Sequence, residues 1–306
     1  GLEFGTEIGM GHGDEVPHLL PDASAPEGCN AVFRDHIIHH ISGNRNHSAR
    51  RQSRLNSGNG AAFCRGRNRQ DSPSALGVER TVGKIKGAKK VCCNFPETMK
   101  YLPPEKAVLT GSPIRQELFK GNPQNALHLC NFPDHSKPVL LIIGGSLGSR
   151  IVNEAVRKIL PELLKEFYVI HLCGKGNLDN SLTGLLGYAQ FEYANQELTD
   201  MFALADIAIS RAGANSICEL LALHKPNILI PLSAAASRGD QVLNANSFKK
   251  QGFSYVIEEE NLTDQTLLTA VKEVYSNKDK YIKNMSESGQ MDSISTIISL
   301  IKEQSK

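Results

Sequence analysis

The amino-acid sequence predicts an α/β protein whose C-terminal part, residues 137–306, is built on a Rossmann-type parallel sheet and follows an incomplete N-terminal domain. Three observations carry this expectation. Short, wholly apolar runs such as Val139-Leu140-Leu141-Ile142-Ile143 suit strands covered on both faces, where strands with one wet face would alternate. The segments between them place apolar residues at i, i+4 spacing, the period of a helix with one buried stripe. Strands and helices then alternate strictly, as βαβ units do.

The elements follow in order. From about Ala23 to Arg80 the chain is rich in Arg, Asn, His, Ser and Gly, as in HHISGNRNHSARRQSRLNSGNG, with no sustained helical or strand period. Such a stretch is not expected to pack a core. Three readings stay open for it: an Arg-rich arm for RNA or phospholipid, a disordered linker, or a stretch in a misread frame. The texture changes near Lys84. Lys90 to Phe95 and Ala107 to Pro113 read as short strands, and after Pro138 the alternation becomes regular. Val139 to Ile143 reads as a strand. A helix then carries Ile151, Val152, Ala155, Val156, Ile159 and Leu160 on one face. Strands are expected at Tyr168 to Leu172, Asp206 to Ser210, Asn227 to Ile230 and Ser254 to Ile257. Helices are expected at Glu197 to Leu204, Ala214 to Leu223 and Asp240 to Gln251. Thr263 is placed to cap a further helix, with Leu262 and Leu267 as its hydrophobic staple, and Ile294, Ile297, Ile298 and Ile301 form the stripe of a last one. The expected organisation is therefore a poorly ordered segment over 1–88, the end of an N-terminal domain with a connecting segment over 89–136, and a ligand-binding domain over 137–306.

Composition narrows the function classes. At 306 residues and 40% hydrophobic content the chain suits a two-domain globular protein. A formal charge of +2 argues against a nucleic-acid partner. The seven cysteines show no CxxC spacing and include adjacent Cys92 and Cys93, which reads as buried thiols in a reducing cytosol. No stretch approaches the ~20 apolar residues that cross a bilayer, so any membrane contact is expected to be peripheral.

In an open parallel sheet, ligands sit beyond the carboxyl ends of the strands, and three turns there are small and polar. Gly144-Gly145-Ser146-Leu147-Gly148-Ser149 joins the first strand to a helix. Its glycines admit a close ligand, and the helix start offers free N–H groups for a diphosphate, although a tight packing turn would look the same. Arg211 to Glu219 opens the next such helix, where Asn215, Ser216 and Glu219 share one edge. Glu219 there suits a ribose diol, or is a surface glutamate favoured by the helix dipole. Asp240, Gln241 and Asn244 share an edge of a third helix and suit sugar hydroxyls, or are simply good first-turn residues. A dinucleotide is unlike this pattern: the first turn is not GxGxxG, and the second strand ends in His171-Leu172-Cys173-Gly174 without a carboxylate.

These residues resemble the MurG family of glycosyltransferases, of the two-domain architecture called GT-B, over about Lys90 to Lys306. The family's GGS-x-G-A/S turn is similar to Gly144 to Ser149, and its R-A/S-GA-x-[ST]-x-x-E motif to Arg211 to Glu219. Its sugar-contacting pair is similar to Asp240-Gln241, and its interdomain G-[SN]-P-[IV]-R to Gly111 to Arg115. The resemblance implies inverting transfer of N-acetylglucosamine from UDP-N-acetylglucosamine to the polyprenyl-diphosphate acceptor lipid I, forming lipid II at the cytoplasmic face of the inner membrane, with no metal or other cofactor. The donor residues it implies are Arg115, Gly144, Gly145, Ser146, Tyr193, Ala194, Asn215, Ser216, Glu219, Asp240 and Gln241, Tyr193 and Ala194 lying in the loop that reads the uracil ring. The family's N-terminal GGTGGH-like loop, whose histidine is a candidate base, is echoed by Gly9 to Gly13 in composition alone, so His12 is not assigned as the base. The donor half reads as intact and the acceptor half as incomplete, which leaves a UDP-N-acetylglucosamine-binding fragment without catalysis, or another GT-B or UDP-sugar epimerase enzyme, as alternatives.

Overall fold

The computed structural model of the chain describes residues 2–4, 37–41, 85, 87–145, 148–233, 239–289 and 293–304. A first sheet has the order β1-β2-β3-β4, with β1 at Leu2–Phe4, β2 at Ile37–Ile41, β3 at Lys90–Cys93 and β4 at Ala107–Leu109. β2 runs antiparallel to both β1 and β3, while β3 and β4 are parallel. Strand β2 falls inside the stretch read as lacking any period. Its Ile37-Ile38-His39-His40-Ile41 is β-branched enough to pair but too short to show an alternation. At the end of the stretch 1–88, Ile85 and Ala88 are buried; apart from these, Gly87 and the two strands, the reading of 1–88, His12 included, lies outside the described residues. Helix α1 (Pro96–Met99), a 3-10 turn at Gln116–Lys120 and α2 (Pro123–Leu129) lead to the second sheet.

That sheet is wholly parallel in the order β10-β9-β8-β5-β6-β7. It comprises β5 (Val139–Ile143), β6 (Tyr168–Leu172), β7 (Tyr188–Phe191), β8 (Ile207–Ser210), β9 (Asn227–Leu229) and β10 (Ser254–Val256). The connecting helices are α3 (Arg150–Glu166), α4 (Glu197–Leu204), α5 (Ala214–Ala222) and α6 (Asp240–Lys250), followed by α7 (Asp264–Ser276), α8 (Lys278–Ser286) and α9 (Ser293–Gln304). Successive side chains of a strand face opposite ways, and the core divides accordingly. Val139, Leu141, Ile170, Ala208 and Leu229 pack with Phe202 of α4 and Phe248 of α6. Leu140, Ile142, Val169, Ile209 and Ile228 pack with Val156 and Leu160 of α3 and with Val271 of α7. Leu141 and Ile142 are fully buried on opposite faces, so truncating either to Ala costs about 2 to 5 kcal/mol.

Most elements begin and end within a residue or two of their expected bounds, with three differences. The run from Ala107 leaves the sheet after Leu109, because Gly111, at φ 71°, turns the chain. Ile151 and Ile298 are exposed, at 41% and 45%, so the buried stripes of α3 and α9 are narrower than their isoleucines imply. In α3 the buried edge turns toward Asn153 and Leu163 instead. The β7 strand and the helices α1, α2 and α8 were not expected from the pattern. Thr263 caps α7 through a reciprocal pair with Thr266, and Leu262 and Leu267 pack into the same core cluster. Among the described residues no helix is long and apolar enough to cross a membrane.

Candidate functional site

The strand order makes the site. From β5 the chain builds outward through β6 and β7 on one side, then returns to lay β8 against the other edge of β5. Connections leaving β5 and β8 therefore diverge, and a crevice opens beyond their carboxyl ends. A cavity of about 540 Å³ lies there, walled by Gly144, Gly145, Gly148 and Ser149 after β5, and by Ser210, Arg211, Gly213 and Ser216 around the end of β8. Leu232, Gln241 and Glu259 complete it from the neighbouring turns.

The turn after β5 is shaped by two glycines. Gly145 has φ 85° with open space where a side chain would stand, whereas Gly148 has φ 73° and its missing Cβ would meet the Cys173 carbonyl oxygen at 2.0 Å. The first position needs glycine for its backbone conformation, the second also for close approach to the loop after β6. Ser149 then caps α3, its Oγ accepting the Val152 N–H at 3.3 Å.

Arg211 ties the walls together. Its Nη2 donates to Ser149 Oγ at 2.7 Å and its Nη1 to the Ile230 carbonyl at 3.1 Å. It also forms an ion pair with Glu259, both side chains almost out of water at 12% and 11% exposure. One planar guanidinium thus joins the ends of β5, β8 and β9 and the turn after β10. The motif containing Arg211 was visible in the sequence, but nothing marked Glu259 among the three successive glutamates Glu258, Glu259 and Glu260.

The other expected donor residues are placed as follows. Gly144, Gly145, Ser216 and Gln241 line the cavity, and Gln241 Oε1 accepts the Leu232 N–H at 3.0 Å. Ser146 lies outside the described residues. Asn215 is exposed in the first turn of α5, and Asp240 is half-buried in that of α6. Neither is among the lining residues, and the same holds for Glu219, whose carboxylate meets Arg115 Nη2 at 3.5 Å. Burial raises the Glu219 carboxyl, and the Arg115 guanidinium opposes that rise. Tyr193, 61% exposed, and Ala194, packed on the core, follow β7. Two strands, β5 and β6, therefore lie between β7, which that loop follows, and β8. Among the described residues no group of three or more His, Cys, Asp or Glu is placed to hold a metal ion.

Behind the turn lies a buried polar chain. Asn153 Nδ2 donates to the Cys173 carbonyl at 2.8 Å, which directs its Oδ1 to His171 Nε2 at 3.0 Å. Nε2 therefore carries the imidazole proton, and Nδ1 accepts from the Tyr188 hydroxyl at 3.0 Å. Arg157 closes the chain by donating to the Asn177 carbonyl at 2.5 Å. The sequence showed His171 only as the place where a dinucleotide-binding carboxylate is lacking.

A parallel α/β sheet with its cavity at the switch point, joined to a second sheet by a connection that begins with Gly111 to Arg115, is the arrangement of GT-B proteins. The chain matches the glycosyltransferase family 28 C-terminal domain over residues 139–301, and it belongs to that family. A relative from Lachnospira eligens is 61% identical over 222 residues, 72% of this chain and 62% of the relative; one from Lachnoclostridium phytofermentans is 63% identical over 219 residues, 72% of this chain and 61% of the relative. Both are named UDP-N-acetylglucosamine–N-acetylmuramyl-(pentapeptide) pyrophosphoryl-undecaprenol N-acetylglucosamine transferase. The chain thus spans about three fifths of their length. In fold it is similar to the crystal structure of MurG from Acinetobacter baumannii, with TM-score 0.54 and 19% identity over 73% of this chain and 62% of that one. It is similar also to the glycosyltransferase of kitacinnamycin, with TM-score 0.56 and 16% identity over 77% and 63%.

Proposed function

We propose that this chain binds UDP-N-acetylglucosamine in the crevice between β5 and β8 as the donor-binding part of an inverting transferase. That transferase moves N-acetylglucosamine to the C4 hydroxyl of the muramyl-pentapeptide on lipid I, producing lipid II. One observation carries the reading: every residue that lines the cavity falls within the matched residues 139–301, and the relatives at 61% and 63% identity bear that transferase name. The glycine turn admits the diphosphate, and the start of α3 faces it with free N–H groups and the positive end of the helix dipole. Arg115 stabilises the charge that grows on the departing UDP. Glu219 holds the ribose diol, Tyr193 and Ala194 the uracil, and Asp240 with Gln241 the sugar. The polyprenyl acceptor resides in a bilayer, which makes the working position peripheral on the cytoplasmic face of the membrane.

A second reading, donor binding without turnover, draws on the cavity itself. No histidine is among the described residues that line it, and the carboxylate there, Glu259, is held by Arg211. Transfer requires a base within reach of the acceptor hydroxyl, a contribution of about two to four powers of ten. Calorimetry of the full chain with UDP-N-acetylglucosamine is expected to show binding, and silence at millimolar ligand would sink the donor reading. With purified lipid I added, little or no lipid II is expected; turnover of about 1 to 1000 per second would reject the second reading and leave the first.

A further inference from the structure

The hydroxyl of Ser149 has two acceptor lone pairs and one hydrogen. Both lone pairs are taken, one by the Val152 N–H at 3.3 Å and one by Arg211 Nη2 at 2.7 Å. Neither partner can accept in return, because a backbone amide and a guanidinium only donate. The hydrogen of Ser149 must therefore point away from both. Ser149 is 6% exposed, yet it forms part of the cavity wall beside Gly145 and Gly148, so an acceptor arriving in the cavity meets this O–H.

We propose that Ser149 is a hydrogen-bond donor to a phosphate oxygen of the bound ligand, and that Arg211, held in place by Glu259, fixes the direction of that donor. The inference rests on the donor-site reading above and deepens it. Arg211 is a positioning residue. Its charge is balanced by Glu259, and its forked geometry is engaged with the Ile230 carbonyl as well, so its own N–H groups are spent on the walls and it acts through Ser149. A lysine has no planar fork with which to reach these sites together.

The test compares UDP with uridine, which lacks the phosphates, on the full chain. Uridine is measured by competition. Ser149→Ala is expected to weaken UDP about tenfold, as the loss of one hydrogen bond to a charged group does, and to change uridine less than twofold. Ser149→Thr keeps the hydroxyl and should restore UDP affinity. Ser149→Gly, which costs a helix start little, should repeat the alanine result and separates the ligand effect from loss of the cap. Arg211→Lys should also weaken UDP selectively, and in the Ser149→Ala background it should add almost nothing. Equal losses for UDP and uridine, additive losses in the double variant, or undiminished UDP binding by Ser149→Ala would each overturn the inference while leaving the donor site standing. If the unaltered chain binds no UDP, the donor reading fails and this inference fails with it.

Discussion

Glu219 pairs with Arg115 at the edge of the candidate site. Its partner Arg115 comes from the segment between the two sheets and is itself 65% exposed, so the pair is open to exchange with solvent and adds little to stability. On the proposed donor reading, a ribose diol would displace the guanidinium and free Arg115 for the diphosphate. Glu219→Ala should accordingly weaken UDP binding about tenfold or more, since a hydrogen bond to a charged group contributes about 1.5 to 3 kcal/mol. Titration of the variant with UDP checks this, and unchanged affinity would make Glu219 a surface residue. The residue was legible in the sequence because helix spacing alone puts it on an edge with Ser216. Its pairing with Arg115 was not, since 104 positions separate the two and no local pattern reports such a contact.

At the scale of elements, the turn after β5 and the loop after β6 behave as one unit. Gly148 sits against the Cys173 carbonyl, and Asn153 and Arg157 of α3 bind that loop at Cys173 and Asn177. The two glycines of the turn should therefore differ on substitution. Gly145→Ala meets only the left-handed backbone cost, about 1 to 2 kcal/mol, because its side-chain space is open. Gly148→Ala meets that cost and a backbone oxygen that cannot step aside, so its urea midpoint should fall well below that of Gly145→Ala; equal midpoints would mean that the loop yields. The sequence announced strand, turn and helix here through apolar runs and glycine. It did not announce β7, since Tyr188-Ala189-Gln190-Phe191 is half-buried at the sheet edge and has no apolar run. Ile151 and Ile298 misled for a related reason: helical period says which residues share a face and leaves open how much of that face a neighbour covers.

For the molecule as a whole, stability should depend on a histidine far from any surface. Burial, and next the Arg157 guanidinium, push His171 down to about 3 from its ordinary 6.5. In the unfolded chain it takes a proton below about 6.5, while in the fold it stays neutral until about 3. The unfolded state binds more protons between those values, so the stability present above 6.5 is lost progressively as pH falls through that window. His171→Gln removes this contribution, and its urea midpoint should fall less steeply between pH 6.5 and 4 than that of the unaltered chain. Parallel slopes would show that His171 titrates normally.

The strand order has a consequence for the growing chain. Of the second sheet, synthesis delivers β5, β6 and β7 first, and these can pair as they emerge, but the backbone edge of β5 that β8 will occupy keeps its N–H and C=O groups unpaired until Ser210 has left the ribosome. An unsatisfied edge of that kind is where nascent chains stick to one another, so the second sheet is open to such pairing while the chain between Ile143 and Ser210 is being made. The ligand crevice is younger still: its last wall, Glu259, arrives only after β10, and no partially made chain can carry the finished site.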